Sequence, residues 1–473
     1  MEEVRNTKYK WLALITIAVG TFMEASDLSF VNISLPILTK VFEVELSVVL
    51  WVSVVYILVS TGFTLILGRM GDVYGRNKIY LLGQALFTMG LILCSFAQDI
   101  TQLILFRVLQ GMGGAMMMSM SIAILTSSFP DRERGKAIGI NGAMFSIGLL
   151  AGPALGGFLL DALDWRAIFY IRVPIGIIGL IMSWLILKEQ KKPKVDIKFD
   201  IWGAAILFGG LCCLILFFNL GGRLGFTSAL ALILVCGSAT LLTLFVLRER
   251  KVDYPLVDLN LFRSRLFSTG NISLGILLLA LSAPILLLPF YLIDGLSYSA
   301  AETGLRLATV SMASIVVGPI SGWLSDKVGS RVLCTAGAAL VCLALFLLSG
   351  LGAESSDADI LPRLIIYGVG VALFFSPNNS SIMGAVPKDR LGTASAMLNT
   401  VRQIGNASGM AIAGAIFTSR QLFHAAELSG NGLSPSIIAR LSLIGGYQDT
   451  FLVAAIICSL AIFASLARGG RFK

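Results

Sequence analysis

The stretch GRMGDVYGRNK (68–78) recurs in outline as GWLSDKVGSR (322–331), with Gly68, Asp72 and Gly75 answered by Gly322, Asp326 and Gly329 at one fixed offset. Both copies are short polar interruptions between long apolar runs. Further on, Pro130, Gly135, Ala137, Ile147, Gly148, Gly152 and Gly157 recur as Pro387, Gly392, Ala394, Ile404, Gly405, Gly409 and Gly414, again at one offset. Single Gly or Ala matches arise by chance, but a run that includes Pro and keeps its spacing does not arise so easily. The first repeat follows a second apolar run in each half, and the second leads into a fifth. The sequence therefore predicts two duplicated halves of six helices each.

The runs between these interruptions set the class. The chain has 473 residues, of which 56% are hydrophobic and 13% charged, with a mean hydropathy of +0.87. Soluble domains carry about 25% charged residues. Disorder requires low hydrophobicity. Apolar blocks of roughly 18 or more residues read as membrane-spanning helices. Such blocks lie at 11–35, 46–67, 79–97, 102–126, 136–160, 166–187, 201–220, 227–247, 267–293, 300–324, 332–351, 360–383, 392–418 and 449–466. The prediction is an all-α polytopic membrane protein. It comprises a six-helix bundle over 1–190, an inserted helix pair with its linkers over 191–265, and a second six-helix bundle over 266–473. The first run follows Arg5, Lys8 and Lys10 but is too long for a secretory leader and contains Glu24 and Asp27, so it reads as a helix of the mature chain.

An even number of crossings puts both termini on one side. Basic residues concentrate in one set of loops: Arg69, Arg76 and Lys78, the five lysines of 188–198, and Arg248, Arg250 and Lys251. The opposite set has only Lys40, Arg166, Arg172, Arg223, Arg306, Arg363, Arg420 and Arg440. Lys and Arg favour the cytoplasmic side, so both termini are expected there, in a cell (inner) membrane. The net charge of +9 is then a topology signal, and no nucleic-acid partner is expected.

Absent motifs narrow the chemistry. One His leaves little for His-based catalysis. The seven Cys form no CxxC pair and sit in apolar runs. There is no GxxxxGK[ST] phosphate loop and no TVGYG-like filter. An enzyme, a metal site and a cofactor are not expected.

Ionisable residues within apolar runs are costly and therefore candidates for function. Glu24 and Asp27 stand at i and i+3, on nearly one helix face. Two carboxylates there can carry protons or attract a cation; the plain alternative is hydrogen bonding to neighbouring helices. Arg107 is either their counter-charge or a bridge between helices. Arg402 has a weaker claim, and Asp294 reads as solvated near the outer end of its run. In the fifth run, Gly148, Gly152, Pro153, Gly156 and Gly157 give a smooth, bent face suited to close helix approach. Met116, within a cluster of methionines, either lines an adaptable pocket or packs in the core. The segment 420–448, with His424 and several Gly, Ser and Pro residues, reads as an outer connection with a solvated histidine.

These residues together resemble the major facilitator superfamily, and within it the fourteen-helix drug:proton antiporter branch. GRMGDVYGRNK resembles the signature between helices two and three. LILFRVLQGMGGA (103–115) resembles the fourth-helix motif around Arg107. Gly139 through Gly157 matches the antiporter pattern G-x8-G-x3-GP-x2-GG at each fixed position. Asp27, Ser29, Asn32, Leu35 and Pro36 resemble the first-helix motif, and DWRAIFYIRVPIG (164–176) and GTASAMLNTVRQIG (392–405) resemble further stretches of the branch.

The resemblance implies export of amphipathic, often cationic compounds in exchange for protons, with protons as the coupling ion and no cofactor. It implies Asp27 as coupling carboxylate, with Glu24 beside it, and Arg107 assisting proton movement. Asp72 and Arg76, with Gly68, Gly75 and Asp326, would act in a cytoplasmic latch, and the Gly/Pro face would be a rocking interface. Asp27, Glu24, Asn32, Met116 and Asn378 are the expected substrate contacts. Partners would be small amphipathic molecules and the lipid bilayer, and the working unit a monomer. The chain departs from the branch at Arg172, where Asn is usual, and at Ile293, where an amide is usual. Glu24 lies outside the first-helix motif. Arg172 is expected to add positive charge near the outer mouth. A lipid or fatty-acid exporter, or a nutrient symporter or facilitator, would share the same fold.

Overall fold

The computed structural model describes residues 2–130, 133–187, 200–252, 259–386, 391–431 and 434–468. Among these the chain is helical throughout, with no strand. In the first half the main helices are α1 (Glu2–Val41), α2 (Trp51–Tyr74), α3 (Arg76–Ser95), α4 (Ile100–Ser128), α5 (Arg134–Ala151) and α6 (Val173–Ile186). Then follow α7 (Ile201–Leu224) and α8 (Ala229–Glu249). The second half has α9 (Arg265–Phe290), α10 (Ala300–Val328), α11 (Ser330–Ser349), α12 (Asp357–Gly384), α13 (Leu391–Leu428) and α14 (Pro435–Leu466).

Local chemistry sets the breaks. Asp99 caps α4 by accepting from the Gln102 backbone N–H at 2.9 Å. Ser299 and Glu302 form a reciprocal capping box at the start of α10. Between α2 and α3 the chain turns on Gly75 at φ 104°, and between α10 and α11 on Gly329 at φ 93°. A side chain is strained at such φ, so only glycine turns the chain this tightly without cost. The two repeated glycines thus serve the same backbone purpose.

Thirteen helices among the described residues are long and apolar enough to cross a membrane. The predicted thirteenth run is also one long helix, α13, although it is not among those thirteen; Arg402, Gln403 and Asn406 dilute its hydropathy. The segment 420–448 departs from the sequence expectation. It is no long loop: α13 continues to Leu428 and α14 starts at Pro435. The break is confined to the few residues around Gly430, with Ser434 as the N-cap residue of α14.

The chain divides into two compact units, Met1–Phe208 and Gly209–Lys473. In the first, α1 packs on α4, α5 and α6, α4 on α2 and α3, and α3 on α6. In the second, α9 packs on α12, α13 and α14, α12 on α10 and α11, and α11 on α14. The duplicated sequence therefore folds into a duplicated packing scheme. Glycine pairs meet at equivalent places in the two units. A Cβ on Gly83 of α3 would sit 2.9 Å from the Gly113 carbonyl oxygen of α4, and one on Gly337 of α11 would sit 2.8 Å from that of Gly370 in α12. Small residues of this kind let helices gain dispersion contact where lipid offers no hydrophobic drive to associate.

Candidate functional site

Asp27 lies midway along α1 with no solvent exposure. Its carboxylate is fully engaged. Arg107 of α4 donates to Oδ2 at 2.5 Å, and Gln110, one turn on, donates to Oδ1 at 2.9 Å. Arg172, the residue before α6, donates to Oδ1 at 2.7 Å. The cluster thus joins three helices of the first unit around one carboxylate.

Each arginine is fixed further. Arg107 Nε donates to the Val52 carbonyl at 2.9 Å, its guanidinium lies 4.3 Å from the Tyr56 ring centroid, and it also donates to Gln110 at 2.7 Å. Arg172 Nε donates to the Ile168 carbonyl at 2.6 Å, with the Phe30 ring centroid 5.1 Å away. Cation–π contacts of this kind strengthen when desolvated. One terminal nitrogen on each guanidinium is buried without a hydrogen-bond partner among the described residues. Arg172 thus departs from the expectation of an outer-mouth charge: it is 2% exposed and turned inward onto Asp27. Burial of Asp27 explains this, because a carboxylate removed from water requires charged or hydrogen-bonded partners.

Glu24 is one turn away on α1 and only half-buried. It lies against the Met118 backbone of α4, and Tyr56 and Tyr80 are within its electrostatic reach. Among the described residues no Lys or Arg pairs with it. Neighbouring polar residues of α1 bond elsewhere: Thr21 donates to Asn141 of α5 at 2.9 Å, and Asn32 accepts from Ser53 of α2 at 3.1 Å. Met116 is buried against Gly83 of α3.

The Gly/Pro face of α5 packs onto α1 beside this cluster. A Cβ on Gly148 would lie 2.7 Å from the Phe22 carbonyl oxygen, and one on Gly152 would lie 1.9 Å from Ser29 Cβ. At Gly152–Gly156 the helix widens into a π-helical turn, continuing as an α-helical turn at Gly157–Ala162. Pro153 lies within it and supplies no backbone N–H, which accounts for the local loss of α-helical bonding. In the second unit Gly405 and Gly409 of α13 pack in the same way onto Leu278 and Ser282 of α9.

Asn378 does not join the Asp27 cluster. It is fully buried in the second unit and accepts from Arg468, which follows α14. Arg468 is itself 1% exposed and also donates to Ser273 of α9 at 2.6 Å and to the Cys334 sulfur of α11 at 2.9 Å. Arg402 is half-buried with its guanidinium 5.8 Å from the Phe375 ring centroid. Asp294 lies in a π-helical turn, Tyr291–Gly295, that extends α9. His424 is part of a network: its Nε2 is 2.9 Å from Asp449, which also accepts from Arg420 at 2.6 Å. Gly68 and Gly322 lie within α2 and α10, while the side chains of Asp72 and Asp326 fall outside the described residues.

Sequence reading found Asp27, Glu24 and Arg107 because charges stand out in apolar runs. It missed Gln110, whose amide gives no such signal. Arg172, near the start of the run 166–187, reads from the sequence as an outer-side charge, because the direction of a side chain is invisible there; Arg468 carries no sequence reading at all.

Comparison with known proteins agrees with this architecture. The Major Facilitator Superfamily description matches residues 17–410. The riboflavin transporter RibZ of Clostridioides difficile (strain 630) is 32% identical over 463 residues, spanning 97% of both chains. The multidrug resistance protein Stp of Mycobacterium tuberculosis (strain CDC 1551 / Oshkosh) is 33% identical over 409 residues, covering 86% of this chain and 76% of that protein. A crystal structure of a bacterial homolog of the human lysosomal transporter Spinster, inward-facing and unoccupied, superposes with a TM-score of 0.71 at 16% identity, covering 97% and 98% of the two chains. With duplicated helical packing, a family match over most of its length and relatives that are transporters, this multi-pass membrane protein belongs to the Major Facilitator Superfamily.

Proposed function

We propose that the protein is a proton-coupled antiporter that exports small amphipathic organic compounds by alternating access, working as a monomer in a cell membrane with both termini cytoplasmic. The observation that carries this reading is the pair of carboxylates on α1. Asp27 is locked by Arg107, Arg172 and Gln110, whereas Glu24 is half-buried with no cationic partner among the described residues. A partly exposed carboxylate one turn from a fixed charge cluster can take up and release a proton. The Gly148/Gly152 face of α5 rests on the same stretch of α1, so a shift of one helix against the other reaches the cluster directly.

The driving force suffices. A proton moving down 100 mV yields about 2.3 kcal/mol, which supports roughly a fifty-fold substrate gradient at one-for-one exchange. Relatives named as a multidrug resistance protein and a multidrug transporter support export. A second reading, nutrient import or facilitation, is favoured by the riboflavin transporter that aligns over nearly the whole chain. Direction of flux separates the two. In everted membrane vesicles energised by respiration, an exporter accumulates a fluorescent substrate and loses it on addition of a protonophore. Absence of protonophore-sensitive accumulation across a broad panel of compounds would overturn the proposal.

A further inference from the structure

The charges around Asp27 balance in a way that bears on which compounds can be carried. Asp27 and Glu24 contribute two negative charges when ionised, and Arg107 and Arg172 two positive ones. The other described groups packed around this stretch of α1 are uncharged: Tyr56 of α2, Tyr80 and Gln84 of α3, Gln110 of α4 and Asn141 of α5. The Lys10–Glu133 ion pair, nearer the start of α1, adds no net charge. The cluster is therefore neutral with Glu24 ionised and carries one positive charge with Glu24 protonated. In neither state does it present net negative charge.

Hydrogen-bonding capacity points the same way. Both Asp27 oxygens are occupied, by three donors in total. The unused capacity on Arg107 and Arg172 is one buried nitrogen each, and both are donors. Asp27 has no exposure, so the carboxylate a substrate can meet is Glu24 alone.

We propose that Arg172 is a specificity-determining residue: by pairing with Asp27 as a second guanidinium it cancels the negative charge that would attract cations, so that the transporter takes uncharged hydrogen-bonding compounds and discriminates against permanent cations. This rests on the transport reading above and narrows it. An uncharged substrate and a proton compete at Glu24, because a carboxylate that has taken a proton no longer offers that oxygen as an acceptor. Replacing Arg172 by Asn leaves the cluster with one net negative charge when Glu24 is ionised and none when it is protonated. A cation and a proton then become mutually exclusive ligands.

The test compares two planar fluorescent probes in proteoliposomes, uncharged riboflavin and permanently cationic ethidium, by counterflow without any proton gradient. Wild type is expected to favour riboflavin over ethidium by about tenfold or more. Arg172→Asn is expected to shift that ratio towards ethidium by about tenfold, the scale of one unit charge acting across a partly hydrated protein interior. Arg172→Lys, which keeps the charge, should stay within about twofold of wild type. Arg172→Gln is the second neutral variant if Arg172→Asn does not fold. Ethidium transport in wild type at least equal to that of riboflavin overturns the proposal, as does a folded neutral variant whose ratio is unchanged. Gain of ethidium counterflow in a neutral variant supports it even where riboflavin is a poor probe. Because counterflow needs no proton coupling, loss of the antiport reading in a separate proton-flux measurement leaves this result standing, and the reverse also holds.

Discussion

Arg172 and Asp27, 145 positions apart in the chain, meet at 2.7 Å in the interior of the first unit, where Arg107 already holds the other carboxylate oxygen at 2.5 Å. Two guanidinium groups share one buried carboxylate, so removing the carboxylate strands two cations, whereas removing either guanidinium leaves the carboxylate paired with the other. A stranded buried charge is the costly outcome, more than the pair itself is a gain.

Asp27→Asn should therefore destabilise the protein by about 3–5 kcal/mol, since it leaves two buried cations unneutralised. Arg172→Asn alone should cost less, because Arg107 and Gln110 remain on the carboxylate. The double variant should be more stable than the sum predicts, by about 0.5–3 kcal/mol. Thermal unfolding in detergent across the four proteins measures this coupling; strict additivity would show that the two residues do not interact.

Glu24→Gln should leave folding close to wild type, because Glu24 is half-buried and outside the ion-pair cluster. It should retain counterflow of substrate but lose proton exchange. Parallel counterflow and proton-flux assays on one preparation check this, and equal loss of both activities would count against Glu24 as the proton site.

Gly152→Ala should destabilise by about 1–3 kcal/mol through overpacking, because the added Cβ would fall 1.9 Å from Ser29 Cβ. Gly142→Ala on the same helix meets nothing within 4 Å. It should be neutral or stabilising by about 0.5–1 kcal/mol, as expected for glycine replaced inside a helix. Melting temperatures of the two variants make the comparison, and similar values would argue that the α1–α5 contact is loose.

Arg468→Met should loosen the second unit. It removes the donor shared by Ser273, Asn378 and Cys334, leaving acceptors from three helices without it. A cost of about 1–3 kcal/mol is expected, with faster labelling of Cys334 by a maleimide. Labelling that stays as slow as in wild type would mean that Arg468 does not hold these helices together.

The fold was largely legible because membrane helices announce themselves by length and hydropathy, and because Gly75 and Gly329 mark equivalent turns in both halves. The Gly83–Gly113 and Gly337–Gly370 contacts were not legible, since single glycine matches carry little weight until the helices are seen to touch there. Of the candidate site, Asp27, Glu24 and Arg107 stood out as charges within apolar runs. Arg172 did not, because a basic residue at the edge of a run serves as well for a solvated loop as for a buried partner; only the direction of the side chain distinguishes them. His424 was likewise read as solvated, and its bond to Asp449 depends on α13 and α14 extending through a segment whose glycines suggested a loop. Asn378, expected as a substrate contact, instead accepts from Arg468 within the second unit.

Proton flux through the α1 carboxylates tests the central claim most directly. Purified protein in liposomes with a trapped pH dye would be challenged from outside with a panel of uncharged and cationic amphipathic compounds, in wild type, Asp27→Asn and Glu24→Gln. The account predicts that substrate entry drives protons out and alkalinises the lumen in wild type, and that Glu24→Gln abolishes this response while still exchanging substrate. Substrate movement in wild type with no accompanying change in lumenal pH would contradict it.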